Sequence, residues 1–233
     1  RRTQSRIGGR KLIKLIGQEL REHGVEIGRD RFFDVLRSRD LLVEPKPAAL
    51  PKTTNSRHPL RVFTNLVAGF TPTAPNQAWA SDITYIRTAE GFMYAALITD
   101  MFSRKIVGSY LGDNLEAEGC LHALDGALAD LAAGAHPIHH SDRGCQYCCH
   151  LYVERLQEAG LGISMTEVMH CYENALAERV NGILKQEYEL DAVFNTKEQA
   201  RKAFTEAVFL YNYRRPHLRL NYRFPAEVHQ QAA

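Results

Sequence analysis

HHSDRGCQYCCHLYVERLQEAGLGISMTEVMHCYENALAERVNGILKQE, residues 139–187, sets two acids in different kinds of secondary structure. Asp142 follows a short apolar strand pattern at 136–140, and Glu178 lies early in a helical pattern at 174–190. Thirty-five residues separate them, enough for a helix at 152–159 stopped by Gly160, a strand at 161–165 and a loop at 166–173. Along the second helix Leu176, Val180, Ile183 and Leu184 make the apolar face, while Glu178, Asn181 and Lys185 fall together on the opposite side. That triplet reads either as a ligand-facing row or as a solvated face. Upstream, WASDITYI at 79–86 places a third acid, Asp82, in a strand.

The chain around these acids predicts a mixed sheet covered by helices. Strands are expected at 78–88, 92–99 and 104–111, joined by short turns into an antiparallel meander. The middle run, FMYAALIT, is nearly continuous in apolar residues, as in a strand buried on both faces. A helix at 115–133 leads into the alternating units of the opening stretch, and another at 196–213 follows them. Three antiparallel strands and then alternating helix and strand give an α/β fold with five strands. Asp100, at a strand end, reads as a turn residue, Glu173 and Glu187 as loop and solvent-facing residues, and Trp79 as packing.

Three segments follow from the same pass. Residues 1–45 carry two short helices, 10–23 and 29–39, around a turn containing Gly24 and Gly28. The second holds Arg29, Arg31 and Arg37, the pattern of a helix-turn-helix or of an ordinary helical hairpin. Residues 46–75 read as a linker rich in Pro and Thr, and 76–233 as the main domain ending in a basic tail with Arg214 and Arg215. Residues 1–61 hold 15 Lys and Arg against 7 Asp and Glu, whereas 62–233 hold 14 against 20, so a basic front precedes an acidic body. Such asymmetry suits a nucleic-acid-binding arm, and equally a solvated basic surface.

Hydrophobic content of 45% and charged content of 24% exclude disordered and fibrous classes. The longest apolar run, at 93–98, is far too short to span a membrane, and no signal-peptide pattern opens the chain, so a soluble, cytoplasmic protein is expected. Five cysteines without an export signal argue for reduced thiols. Cys145, Cys148, Cys149, His150, His170 and Cys171 could make a zinc site, but their spacing across a helix and a strand favours ordinary thiols.

Three carboxylates on a rigid scaffold suffice for one demanding chemistry. Cleaving a phosphodiester means stabilising an attacking and a leaving oxygen together, which two metal ions about 4 Å apart can do. Hard carboxylate oxygens suit Mg²⁺. A right-handed crossover lets the first and fourth strands lie side by side, which would bring Asp82 and Asp142 together, with the Glu178 helix beside them.

WASDITYI, HHSDRGCQY and CYENALAERVNGILKQE, in that order, resemble the core motifs of the IS3 family of insertion-sequence transposases. The resemblance includes the 35-residue gap and the lysine seven residues after the glutamate. It extends to SRKIVG at 103–108, to YNYRRPH and FPAEVH near the C-terminus, and to the helix pair at the start, and so covers nearly the whole chain. The resemblance implies a ribonuclease-H-like core as in retroviral integrases, with a small N-terminal all-α segment, and DNA cleavage and strand transfer of an insertion sequence. It implies Asp82, Asp142 and Glu178 as catalytic residues and ligands of two Mg²⁺ ions, with Mn²⁺ as a substitute. Lys185, Asn181, Arg29, Arg31, Arg37, Arg214 and Arg215 are the expected DNA contacts. The implied partners are element-end and target DNA in a bacterial nucleoid, further copies of the chain, and an upstream reading frame fused by frameshifting, with which a chain opening on Arg1 is consistent. Two departures stand out, Glu173 where the family often has aspartate, and Cys148 and Cys149 where small polar residues are common. Neither touches the three acids. The alternative from another class is an element-end DNA-binding regulator without chemistry.

Overall fold

The computed structural model describes residues 4–43, 58–167 and 174–231. In chain order these form α1 (Gly9–Glu22), α2 (Arg29–Ser38), β1 (Ala78–Thr88), β2 (Gly91–Asp100), β3 (Ile106–Gly112), α3 (Ala117–Ala129) and β4 (Ile138–Ser141). There follow α4 (Cys145–Cys148), α5 (His150–Glu158), β5 (Gly162–Met165), α6 (Ala175–Glu187), β6 (Val193–Phe194), α7 (Lys197–Tyr213), a 3₁₀ turn (Leu218–Leu220) and α8 (Pro225–Gln231).

The sheet runs β3-β2-β1-β4-β5, antiparallel across the first three strands and parallel from β1 to β5. This is the expected five-stranded mixed sheet. A sixth, two-residue strand, β6, adds to the far end of β1 through Arg87 and Thr88. The nearly continuous apolar run of β2 is explained by its neighbours. Met93, Ala95 and Leu97 point to a core made with α6 and α7, while Ala96 and Ile98 point to a core made with α3, α4 and α5. β1 divides likewise, with Trp79 on the α3 side and Ile86 on the α6 side. Because side chains alternate along a strand, Asp82 shares the α6 side with Ile86, and Ser81 faces the other way.

Asp100 is wholly buried and staples the β2–β3 turn. Its carboxylate accepts from the backbone N–H of Asn76 (2.7 Å), and from the backbone N–H and hydroxyl of Ser103 (2.7 Å each). Trp79 is fully buried, with its indole N–H donating to Asn76.

The first two helices close on their own small core of Ile7, Leu12, Phe32 and Leu36. Residues 46–57 of the expected linker lie outside the described residues, as do His170, Cys171 and Glu173. From His58 onward the linker reading is corrected. The His58 ring lies 2.7 Å from the carbonyl of Arg143, Leu66 N–H donates to Ser164 Oγ, and Phe63 packs on the α3-side core. Having no helical or strand periodicity, this stretch reads as linker in sequence, but its backbone finds a partner on β5 and the His58 ring finds one beside Asp142. The basic tail likewise contains α8, whose Ala226, Val228 and His229 are buried.

Candidate active site

Register brings the first two acids together. β1 pairs with β4 in parallel through Ala78–Ile138, Trp79–His139 and Ala80–His140. Continued by two residues, that register directs Asp82 toward Asp142, whose charge acts on it. The pairing stops at Ala80, and β6 takes up β1 only at Arg87. The edge of β1 between them is left to α6. Asn174, just before the helix, donates from its side chain to Ser81 C=O (3.0 Å), and Asn181 Nδ2 donates to Asp82 Oδ2 (2.7 Å). These two bonds fasten the first turns of α6, and with them Glu178, across the strand that bears Asp82.

The electrostatics record the crowding. Burial pushes the Asp82 carboxyl up to about 7, with the negative charge of Asp142 adding to the rise and Glu178 adding less. Hydrogen bonds from the Ile83 backbone and from Asn181 work against it. Asp142 Oδ1 accepts the backbone N–H of Gly144 (2.9 Å), fixing the turn after β4. Glu178 is exposed in the first turn of α6. Among the described residues, no three His, Cys, Asp or Glu side chains stand close enough to hold a metal ion as they are. The donor set nevertheless fits a divalent cation. It consists of hard carboxylate oxygens, and burial, with the negative charge of Asp142 adding to it, raises Asp82 to about 7, a cost that a bound cation would relieve.

Behind Asp82 lies a layer that sequence reading missed. The buried His139 ring sits 2.7 Å from Ser81 Oγ and 2.9 Å from Tyr152 Oη. Burial drives its pKa down to about 3, so it stays neutral and serves as a hydrogen-bonding wedge between β1, β4 and α5. The His-His pair after the apolar run was its only signal.

The expected DNA contacts separate into groups. Asn181 is corrected. It is buried, because α6 meets the open edge of β1 with the very side that a two-sided helical wheel leaves to solvent, and it holds Asp82. Arg215 is corrected as well, being 2% exposed and bound by Nε and Nη2 to the two oxygens of Glu187 at 2.8 and 2.9 Å. Glu187 is therefore not a solvent-facing residue, and its Oε1 also takes Lys11 Nζ at 2.6 Å. Lys185 is half-buried, its ammonium 4.3 Å from the centre of the Tyr85 ring. Burial lowers its pKa and the charge of Asp82 opposes that shift, which places the ammonium within electrostatic reach of the acids. Arg29 and Arg37 are exposed but pair with Asp30 and Asp34, while Arg31 and Arg214 are exposed.

Burial raises the thiols of Cys120 to about 12 and Cys148 to about 11, while His170 and Cys171 of the zinc alternative lie outside the described residues.

The family described as "Integrase core domain" matches residues 72–171, and a second family of the same description matches 159–225. A 31 kDa protein of insertion element IS600 from Shigella sonnei is 38% identical over all of this chain and 86% of its own length. The transposase for element IS629 from Shigella sonnei is 36% identical over 76% of this chain, and transposase InsF for IS3A from Escherichia coli K12 is 34% identical over 80%. The matches span 60% and 63% of those two transposases. Among solved structures, the integrase catalytic core of HTLV-2 in complex with magnesium superposes with a TM-score of 0.55 at 18% identity, over 68% of this chain and 99% of that one. The simian T-cell lymphotropic virus intasome gives 0.58 at 16% identity, over 95% of this chain and 74% of that one. At such identities these two likenesses establish the fold.

Proposed function

The chain belongs to the insertion-sequence transposases that carry an integrase core domain, and from that premise we propose that Asp82, Asp142 and Glu178 carry metal-dependent DNA cleavage and strand transfer. The observation that supports this most is the convergence of β1, β4 and α6, which buries Asp82 and brings the charges of Asp142 and Glu178 to bear on it. When bound, two magnesium ions, or manganese in their place, supply Lewis-acid stabilisation of the attacking and leaving oxygens of the phosphodiester. Asp82 and Asp142 hold that charge from adjacent strands, and Glu178 from the helix across them. Asn181 keeps the Asp82 carboxylate turned toward the other acids, and the Ser81–His139–Tyr152 bonds stiffen the strand behind it. Lys185, beside Asp82, offers a cation to a DNA phosphate at the metals. The same reading has the chain act on two DNA ends as a homo-oligomer, fused to an upstream frame.

The test is incubation of the chain, alone and fused to its upstream frame, with labelled element-end duplex with and without Mg²⁺. Nicked and joined products are expected only with the metal. Asp82→Asn, Asp142→Asn and Glu178→Gln are each expected to abolish them while leaving duplex binding intact. Full strand transfer by any one of the three would remove the mechanism, and binding without metal-dependent products by the wild type would install the regulator instead.

A further inference from the structure

The basic front of the chain presents most of its free charge away from where a helix-turn-helix reading puts it. On α2, Arg29 and Arg37 are tied to Asp30 and Asp34, which leaves Arg31 exposed. On α1, Arg10, Lys14, Gly17 and Arg21 recur at intervals of four, three and four residues. At about 100° per residue they fall within about 60° of one another, on one stripe about 16 Å long. Arg10, Lys14 and Arg21 are exposed, and none pairs with a carboxylate among the described residues. Gly17 leaves the middle of the stripe bare.

This stripe forms one wall of a concavity of about 750 Å³. Arg29, already paired with Asp30, also lines it, Glu26 is the single acid, and the free charge of the lining is three less one, or +2. The opposite wall is Tyr222, which belongs to the catalytic core rather than to the helix pair. Asn221 (φ 53°) and Tyr222 (φ 65°) are successive left-handed residues after the 3₁₀ turn, pinned by Tyr222 N–H to His217 C=O (2.9 Å). That turn sets the ring 5.4 Å from the Lys14 ammonium. The α1 wall is fastened to the core independently. Lys11, one flank round the helix, reaches Glu187, and Arg6 Nε donates to the Gln186 carbonyl at the end of α6 (2.9 Å).

We propose that this cleft, built jointly by the α1 stripe and Tyr222, is a seat for the phosphate backbone of duplex DNA, and that α1 rather than α2 makes the main phosphate contacts of the N-terminal segment. A row of unpaired cations about 16 Å long spans several phosphates of a duplex, which carries one charge per about 1.7 Å of axis. The missing side chain at Gly17 leaves only the tip of Arg21 over the middle of the stripe, and Tyr222 closes the cleft with its ring beneath the Lys14 ammonium. Since the α1 wall is tied to the C-terminal end of α6, DNA seated here is held at a set distance from Glu178 at the other end of that helix. The proposal rests on the transposase reading for its occupant, but it is tested by binding alone.

Fluorescence anisotropy of a labelled 30-base-pair duplex of arbitrary sequence, with the full chain in EDTA across a KCl series, measures it without chemistry. The triple variant Arg10→Ala/Lys14→Ala/Arg21→Ala is expected to lower the salt slope by about 2.7, at ~0.9 per lost phosphate contact, or roughly 500-fold in affinity at 0.1 M relative to 1 M salt. Gly17→Glu guards against misfolding. An added Cβ there meets only the tip of Arg21 at 3.6 Å, so the helix is kept or strengthened, and both affinity and slope should fall. Tyr222→Ala keeps every charge and should weaken binding at constant slope. Arg31→Ala/Arg37→Ala on α2 should lower the slope by at most about 0.9, since only Arg31 is free of a carboxylate. An unchanged slope in the triple variant, an equal loss per charge from α2, or tighter binding of a single-stranded RNA of the same length overturns the proposal. Failure of the wild type to join DNA in Mg²⁺, with these binding results intact, would sink the transposase chemistry and leave this seat standing.

Discussion

Replacing Glu187 by glutamine should cost more stability than any surface ion pair can. The carboxylate takes two charge-assisted bonds from Arg215 at 2.8 and 2.9 Å and one from Lys11 at 2.6 Å, with side-chain exposures of 15% for Glu187, 2% for Arg215 and 17% for Lys11. Removing one partner of such a buried pair leaves the other charge uncompensated, at about 3–5 kcal/mol. For a chain of this size each kcal/mol moves the melting temperature by about 2–4 °C, so Glu187→Gln should melt about 6–20 °C below the wild type by calorimetry at pH 7. Because the pair is buried, the gap should persist in 0.5 M salt. Glu198→Gln, which breaks a fully exposed pair with Lys202, is the control and should hardly move the transition.

The two cations are not equivalent. Burial and the nearby Arg215 lower the pKa of Lys11, against the pull of Glu187, so Lys11 is the crowded member of the trio. Lys11→Met should therefore cost far less than Glu187→Gln. The pH dependence has a definite sign. Burial pushes Glu187 up, but the bonds and charge of Arg215, then Lys11, outweigh it and hold the folded carboxyl below its ordinary value. Its contribution is fully present above the unfolded pKa, about 4.3, and is lost as pH falls through the lower folded one. The wild-type advantage over Glu187→Gln should thus shrink only in acid. A variant melting within 2 °C of the wild type at pH 7, or a gap unchanged down to pH 2, would refute the buried-latch argument.

Asn181→Leu removes the donor to Asp82 while keeping volume; the Mg²⁺ concentration for half-maximal strand transfer should rise about 10–100-fold, and an unchanged midpoint would show that Asp82 needs no such support. Lys185→Ala should weaken duplex binding and lower its salt slope by about 0.9, whereas an unchanged slope would leave the lysine as cover for Tyr85. Gly108→Ala would put a Cβ 2.1 Å from the Ala123 carbonyl oxygen, where α3 lies on β3. Overpacking of that kind costs about 1–3 kcal/mol, and a melting temperature equal to that of the wild type would mean that α3 can lift off the sheet freely.

What the sequence could disclose followed from how local each signal is. β2 announced its burial on both faces by composition alone, and Asp82 and Asp142 could be paired because the crossover rule makes β1 and β4 neighbours. β6 has two residues and exists only through Arg87 and Thr88, so no periodicity could reveal it. α8 hid inside a tail dominated by arginines, although Pro225 at its first position was a usable start signal. Arg215 reads as a surface grip because its partner lies 28 residues upstream, at the end of α6. Asn181 failed for a different reason. A helical wheel knows one apolar face, and α6 is buried on a second, polar face against carboxylate and strand edge.

That second face makes α6 the mechanical centre of the molecule. Within 13 residues it offers Glu178 to the proposed metal site, fixes Asp82 through Asn181, lays Lys185 over Tyr85, and ends in Glu187, where α1 and Arg215 are locked. A rigid helix transmits displacement along its axis, and the apolar side of α6 is packed with Val180, Ile183 and Leu184 in the core. Moving the N-terminal helices without moving Glu178 would therefore require α6 to bend or Glu187 to let go. The ion trio is costly to bury, and a hydrophobic substitute would often be as stable. What it supplies here is geometric, since a bidentate arginine fixes orientation as well as distance. The basic stripe on α1 and the acids on the sheet are thereby held as one frame, and Glu187 is the point at which that coupling can be cut without touching either.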